Sequence, residues 1–164
     1  MSLKRAFPPV VDAGTRLLIV GSLPGDASLR AGEYYAHPLN AFWRLSGAII
    51  ECNLTPLPYA ERLEALTRAR VGLWDVIASA ERPGSLDAAI RSAATADLTR
   101  LVGDLSQLRA IAFNGATAAR IGRRALGRAA VELVDLPSSS PALTLPFDRK
   151  LAAWRPLSRF LITD

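Results

Sequence analysis

Short apolar runs recur along the chain at Leu17–Val20, Leu73–Ile77, Ala110–Phe113 and Val131–Leu136, without the polar alternation of a half-exposed sheet. They predict buried parallel strands. Between and after them lie stretches with helical spacing: Asn40–Cys52, with Phe42, Leu45 and Ile49 on one face, then Tyr59–Arg70, Leu86–Ala94, Ala96–Leu105 and Ala116–Leu126. Asp148–Ile162 closes the pattern, with Leu151, Trp154, Leu157 and Leu161 apolar, and Pro156 is expected to kink or split it. Strands separated by helices predict an α/β fold, a three-layer α/β/α sandwich around a central, mainly parallel four-stranded sheet. No repeat or linker divides the 164 residues, so one domain is expected across 1–164, with 1–13 an irregular lead-in.

Composition narrows the chemistry. The chain is 50% hydrophobic, enough for a sizeable core. No apolar run approaches the roughly 18 residues of a membrane span, and MSLKRAFPP lacks the apolar region of a signal peptide, so a cytoplasmic protein without membrane contact is expected. Cys52 is the only cysteine and His37 the only histidine. That excludes an internal disulfide and a cysteine-held iron–sulfur cluster, and it leaves a carboxylate-bound magnesium as the one open metal. No cofactor is expected. The net charge of +5 comes from Lys and Arg, most of it Arg, whose planar fork suits phosphate and points to a polyanionic partner.

In such a sheet ligands bind beyond the carboxyl ends of the strands, so the segments that follow the strands carry the candidate chemistry. GSLPG at 21–25 has the composition of a tight turn. Its backbone N–H groups could meet an anion or a base edge, or it could be an ordinary turn; it lacks the Lys-Ser/Thr ending of a phosphate-binding P-loop. Ser138, Ser139 and Ser140 stand between two prolines, a stiff polar loop for a sugar–phosphate backbone or a solvated turn. YYAHPLNAFW, 34–43, holds four aromatic rings in ten positions. Tyr34 and Tyr35 are adjacent in a loop and cannot both point inward, so at least one is expected to line the crevice, while Phe42 and Trp43 suit the core. His37 is either a general base or a loop-fixing hydrogen-bonder. The Asn40 amide can donate and accept at once, which suits either a helix cap or the fixing of a water against a developing cation. Asp75, inside GLWDV, is a secondary catalytic candidate, because a carboxylate in a strand is costly unless bonded or used. Asp26 and Asp87 are weaker ones. Asn114 could read a base edge or tie two loops together. Arg120, Arg123, Arg124 and Arg128 form either a solvated helix face or a contact to DNA phosphates.

Taken in order, GSLPGDASL, YYAHPLNAFW, GLWDV with RPGSLD, AIAFNG and LPSSSPA resemble the uracil-DNA glycosylase superfamily over about residues 16–155, and most closely its hypoxanthine-DNA glycosylase family. The resemblance implies an enzyme that flips a deaminated base, hypoxanthine favoured, out of double-stranded or single-stranded DNA and hydrolyses its N-glycosidic bond without a cofactor, as a monomer. It implies Asn40 as the catalytic amide and Tyr35 as the ring that stacks on the base. Gly21, Ser22 and Leu23, with Asn114, would face the base edge. Ser138–Ser140, Arg120 and Arg124 would meet DNA, and His37, Pro24 and Gly25 would organise the loops. Two departures stand out: Leu23 occupies the place where other branches carry a polar water-positioning residue, and LPSSSPA has neither the Asn nor the His that many members carry in the last loop. A uracil or mismatch glycosylase and a non-catalytic DNA-binding relative are the alternatives.

Overall fold

The computed structural model describes residues 3–5, 7–81 and 91–162. Four strands, β2 (Leu17–Gly21), β3 (Val71–Asp75), β6 (Ala110–Asn114) and β7 (Glu132–Leu136), form one fully parallel sheet in the order β3-β2-β6-β7. Successive residues of β2 point to opposite faces, and both faces are covered. Leu17 and Ile19 pack with Phe42, Leu45, Leu66 and Trp154, from α2 (Phe42–Ile50), α3 (Tyr59–Arg68) and α6 (Phe147–Trp154). Leu18 and Val20 pack on the other side with Leu98 and Ala118, from α4 (Leu98–Asp104) and α5 (Ala116–Leu126). This double burial explains why β2 and β6 read as continuous apolar runs, whereas β7, expected to be buried, lies at the sheet edge with Glu132 and Asp135 exposed and Leu133 and Val134 half-buried. The last helix gives way at Arg155–Leu161 to a 3-10 helix carrying Pro156, the break expected from a residue that cannot continue the i→i−4 ladder.

From β2 the chain passes through α1 (Asp26–Ala31), α2 and α3 to β3 on one side, and later returns to β6 on the other. The strand order therefore reverses at β2, which opens a crevice beyond its carboxyl end.

Two expectations need correction. The lead-in is not wholly irregular: β1 (Leu3–Arg5) pairs antiparallel with β4 (Ile77–Glu81), which also pairs with β5 (Arg91–Thr95), giving a second, three-stranded sheet. The expected helix over Leu86–Ala94 gives way, in its described part, to β5, and its residues 86–90 lie outside the described residues. Non-local pairing with β4 outweighs local helical spacing there. The apolar run Leu73–Ile77 is also divided, because Val76 N–H turns to Gly21 O at 2.8 Å and Ile77 starts β4.

Candidate active site

The crevice is a cavity of about 1160 Å³, lined by the carboxyl ends of all four parallel strands (Gly21, Asp75, Asn114 and Leu136) and by the loops that follow them. Of the segments singled out in the sequence it brings together Gly21–Gly25, Tyr34, Tyr35, His37, Asn40, Asp75, Asn114 and Ser138–Ser140. Arg120 and Arg124 are exposed on α5 and line neither this cavity nor the smaller one beside it. Arg123 pairs with Asp135 at 2.9 Å, between two exposed side chains. Asp26 opens α1 and does not line the cavity, and Asp87 lies outside the described residues.

Against the expectation that adjacent rings cannot both point inward, both tyrosines line the cavity and their ring centroids stand 6.2 Å apart. Tyr34 is buried, and its hydroxyl donates to Phe7 O and Pro8 O, at 3.3 and 3.0 Å. Burial first, and then the charge of Asp75, holds its phenol protonated well above the ordinary tyrosine range. Tyr35 is half-buried and has φ 53°, a left-handed backbone that a bulky side chain rarely adopts. Two contacts hold it there: Trp43 Nε1–H donates to Tyr35 O at 3.1 Å, and the Phe42 ring stacks on it at 3.9 Å between centroids with planes 16° apart. One face of Tyr35 is thus covered by Phe42, and the ring lines the cavity. Phe42 and Trp43 are buried, as their helical positions imply.

Gly21 lets this floor close. A Cβ at Gly21 would stand 2.8 Å from Asp75 Oδ1 and 3.0 Å from Tyr35 Oη, so a side chain there would displace both. Asp75 itself is buried at 4% exposure.

Asn40 stands at the cavity wall, half-buried. The helix begins at Phe42, later than the spacing suggested, and Asn40 Oδ1 accepts the Phe42 N–H at 3.0 Å. That single bond fixes the amide plane. Its Nδ2 donates to no group among the described residues. His37 is exposed, and its Nδ1 accepts from Leu39 N–H at 3.1 Å while its carbonyl takes the Asn40 N–H at 3.0 Å, so the imidazole braces the turn that presents Asn40.

Asn114 is buried and spends its amide within the protein. Nδ2 donates to Ser139 Oγ at 2.9 Å and to Tyr35 Oη at 3.3 Å, and Oδ1 accepts from Ser139 N–H at 2.9 Å. Ser139 O in turn accepts the Ala41 N–H at 3.0 Å. The last loop is therefore bonded both to β6 and to the start of α2. Ser138 packs against Gly115, whose φ of 101° and lack of a side chain permit the approach, and Ser138 Oγ accepts from Ser140 N–H at 3.1 Å.

Sequence reasoning missed three contributors. Leu39 and Leu143 are two of the three large apolar side chains that stand exposed among the described residues, and both line the cavity, from the loops before α2 and after β7. A leucine inside HPLN, outside any helical stripe, was a visible signal for the first. Lys150 gave none: it sits on α6 at 4% exposure, with Nζ donating to Ser140 O at 2.9 Å beneath the last loop. Burial lowers its pKa from the ordinary 10.5. Between the folded and unfolded pKa the unfolded chain binds more protons, so this lysine makes stability rise with pH as 10.5 is approached from below. Lys150→Met should flatten that rise, read as the difference between urea-unfolding midpoints at neutral and at alkaline pH. An unchanged pH dependence would show that the lysine is solvated.

Among the described residues no three His, Cys, Asp or Glu side chains converge to hold a metal ion, and no helix is long and apolar enough to cross a membrane.

Comparison with known proteins agrees with this architecture. The family model described as the uracil DNA glycosylase superfamily matches residues 8–158. A hypoxanthine DNA glycosylase of Methanosarcina barkeri is 46% identical over 112 residues, 68% of this chain and 71% of that protein. One from Methanosarcina acetivorans is 42% identical over 140 residues, 85% and 88% of the two chains. A candidate uracil DNA glycosylase from Methanosarcina acetivorans, solved by solution NMR, superposes with a TM-score of 0.85 at 39% identity, covering 98% of this chain and 99% of the other. With the family model spanning nearly the whole chain, and relatives this similar over most of their length, this protein belongs to the uracil DNA glycosylase superfamily.

Proposed function

We propose that the protein is a DNA glycosylase of base excision repair that takes a deaminated base, hypoxanthine first, from DNA into the large cavity and hydrolyses its N-glycosidic bond. The observation that carries this reading is the convergence, at one end of a parallel sheet, of a singly committed amide and an aromatic ring that lines the same cavity. Asn40 is held by Phe42 N–H, and Tyr35 is backed by Phe42. The base stacks on Tyr35 where its ring lines the cavity, and backbone groups of Gly21–Leu23 face its polar edge. Asn40 then holds a water through its second Oδ1 lone pair or its Nδ2 hydrogens, below the sugar carbon that gains positive charge as the bond stretches. Asp75, buried at the cavity floor, adds a fixed negative charge that favours the same cation. Leu39 and Leu143 at the cavity wall suit the space left in the base stack, whose opening costs a few kcal/mol.

The cavity of about 1160 Å³ admits a purine or a pyrimidine, so its size does not select between hypoxanthine and uracil. The names of the two Methanosarcina relatives favour hypoxanthine. Duplexes carrying deoxyinosine, deoxyuridine, deoxyxanthosine or a G·T mismatch decide the matter through alkali-labile abasic sites. Cleavage is expected at deoxyinosine. A cut at deoxyuridine alone would make the protein a uracil glycosylase, and a lesion bound by an enzyme that leaves all four strands intact would make it a non-catalytic relative.

Stacking makes its own forecast. Tyr35→Phe keeps the ring, gives up the hydroxyl that accepts from Asn114 and should retain most excision, whereas Tyr35→Ala should weaken lesion binding by about 1–3 kcal/mol with little change for undamaged duplex. Equal losses on damaged and undamaged DNA, measured by fluorescence anisotropy, would remove Tyr35 from the base site.

A further inference from the structure

Behind the segment that carries Tyr35, His37 and Asn40 lies a second cavity of about 250 Å³, and these three residues line both. Its other walls are Ala36, Pro38, Trp43, Thr55 and the two arginines Arg44 and Arg62. Among the described residues no carboxylate lines it, in contrast to the main cavity, where Asp75 and Asp135 do.

Both guanidiniums are held in place. Arg62 donates to Leu57 O at 2.9 Å and to Thr55 O at 2.7 Å, and lies over the Trp43 ring at 5.2 Å. Arg44 is exposed, and its guanidinium stands 4.1 Å from the centroid of the Phe147 ring. None of its N–H groups has an acceptor among the described residues. A planar cation set on an aromatic face and keeping its donors is suited to a doubly bonded oxyanion. The His37 ring lines the same wall, with Nδ1 accepting from Leu39 N–H, so Nε2 is its remaining polar atom there.

We propose that this second cavity takes a DNA backbone phosphate next to the extruded nucleotide, with Arg44 as its principal partner. The inference rests on the glycosylase reading, because the shared wall makes a group in the small cavity the neighbour of a base in the large one. A phosphodiester occupies far less than 250 Å³, so the adjoining sugar enters with it. Such a contact carries no base information and sets the register of the flipped nucleotide against Asn40.

The test pairs Arg44 variants with deoxyinosine duplexes in which single flanking phosphates are replaced, one at a time, by uncharged methylphosphonates. Affinity is read from the dependence of single-turnover excision on enzyme concentration. At one linkage the neutral substitution should weaken the wild-type enzyme about tenfold, and Arg44→Ala should weaken binding of the normal duplex as much, without further loss on the modified one. Arg44→Ala should also make the slope of log affinity against log salt shallower by about one, and Arg44→Lys should restore that slope while recovering only part of the affinity. If every methylphosphonate affects wild type and Arg44→Ala alike, or the salt slope does not change, the proposal is overturned. Should the wild-type enzyme cut no lesion, the glycosylase reading fails, and the same coupling measured as duplex binding still decides the phosphate site.

Discussion

Asn40→Ala should lower excision from a deoxyinosine duplex by about 10²- to 10³-fold while changing duplex affinity less than about twofold, the range seen when one preorganised polar group is taken from a reacting centre. The reason lies in what the amide does in the folded protein. One bond to Phe42 N–H holds it at the start of α2, and the rest of its capacity faces the cavity. Removing it costs the bond to Phe42 N–H, worth about 1 kcal/mol, and, with it, the water below the sugar. Asn40→Asp separates the two roles. The carboxylate keeps an acceptor for Phe42 N–H and restores thermal stability, but it loses both Nδ2 donors. Excision that returns together with stability would reduce Asn40 to a helix cap. Excision that stays low at restored stability assigns the loss to the chemistry.

The parts of this molecule legible in the sequence are those fixed by local pattern. Leu17–Val20 and Ala110–Phe113 are apolar at consecutive positions because both faces of the sheet are covered, and this pattern gave the parallel sheet, the position of its carboxyl ends and hence the site. The residues that follow those ends, Gly21–Gly25 and Ser138–Ser140, do line one cavity. What stayed hidden depends on long-range partners. The β1-β4-β5 sheet is built from short strands whose pairing joins Leu3 to Glu81, and no local periodicity marks such a register. That Tyr34 and Tyr35 both line the cavity goes with the positive φ of Tyr35 and with Phe42 behind it, neither of which the adjacent rings reveal. Lys150 sits on a helix whose pattern would place a lysine in water, and only the return of the last loop over α6 buries it. The small basic cavity joins residues 35–44 to 55–62 across a turn, so its two arginines looked unrelated.

Asn114 is expected to organise the site rather than to read the base. Its Nδ2 bonds to Tyr35 and Ser139, and its Oδ1 takes Ser139 N–H, so Asn114→Ala leaves a buried serine N–H and hydroxyl without their partner. Each such loss is worth about 1–3 kcal/mol, and the two together should lower the urea midpoint as clearly as a core truncation. Excision should fall with it, because Ser139 also holds Ala41 N–H, and through it the turn that aims Asn40. The discriminating measurement is at saturating enzyme and at a temperature where the variant is folded. A tie between loops predicts that Asn114→Ser, which keeps one donor and one acceptor, recovers stability and excision in step. A base-reading amide predicts that stability returns while discrimination between deoxyinosine and deoxyadenosine stays degraded, and that outcome would move Asn114 from the frame of the site into direct contact with the base.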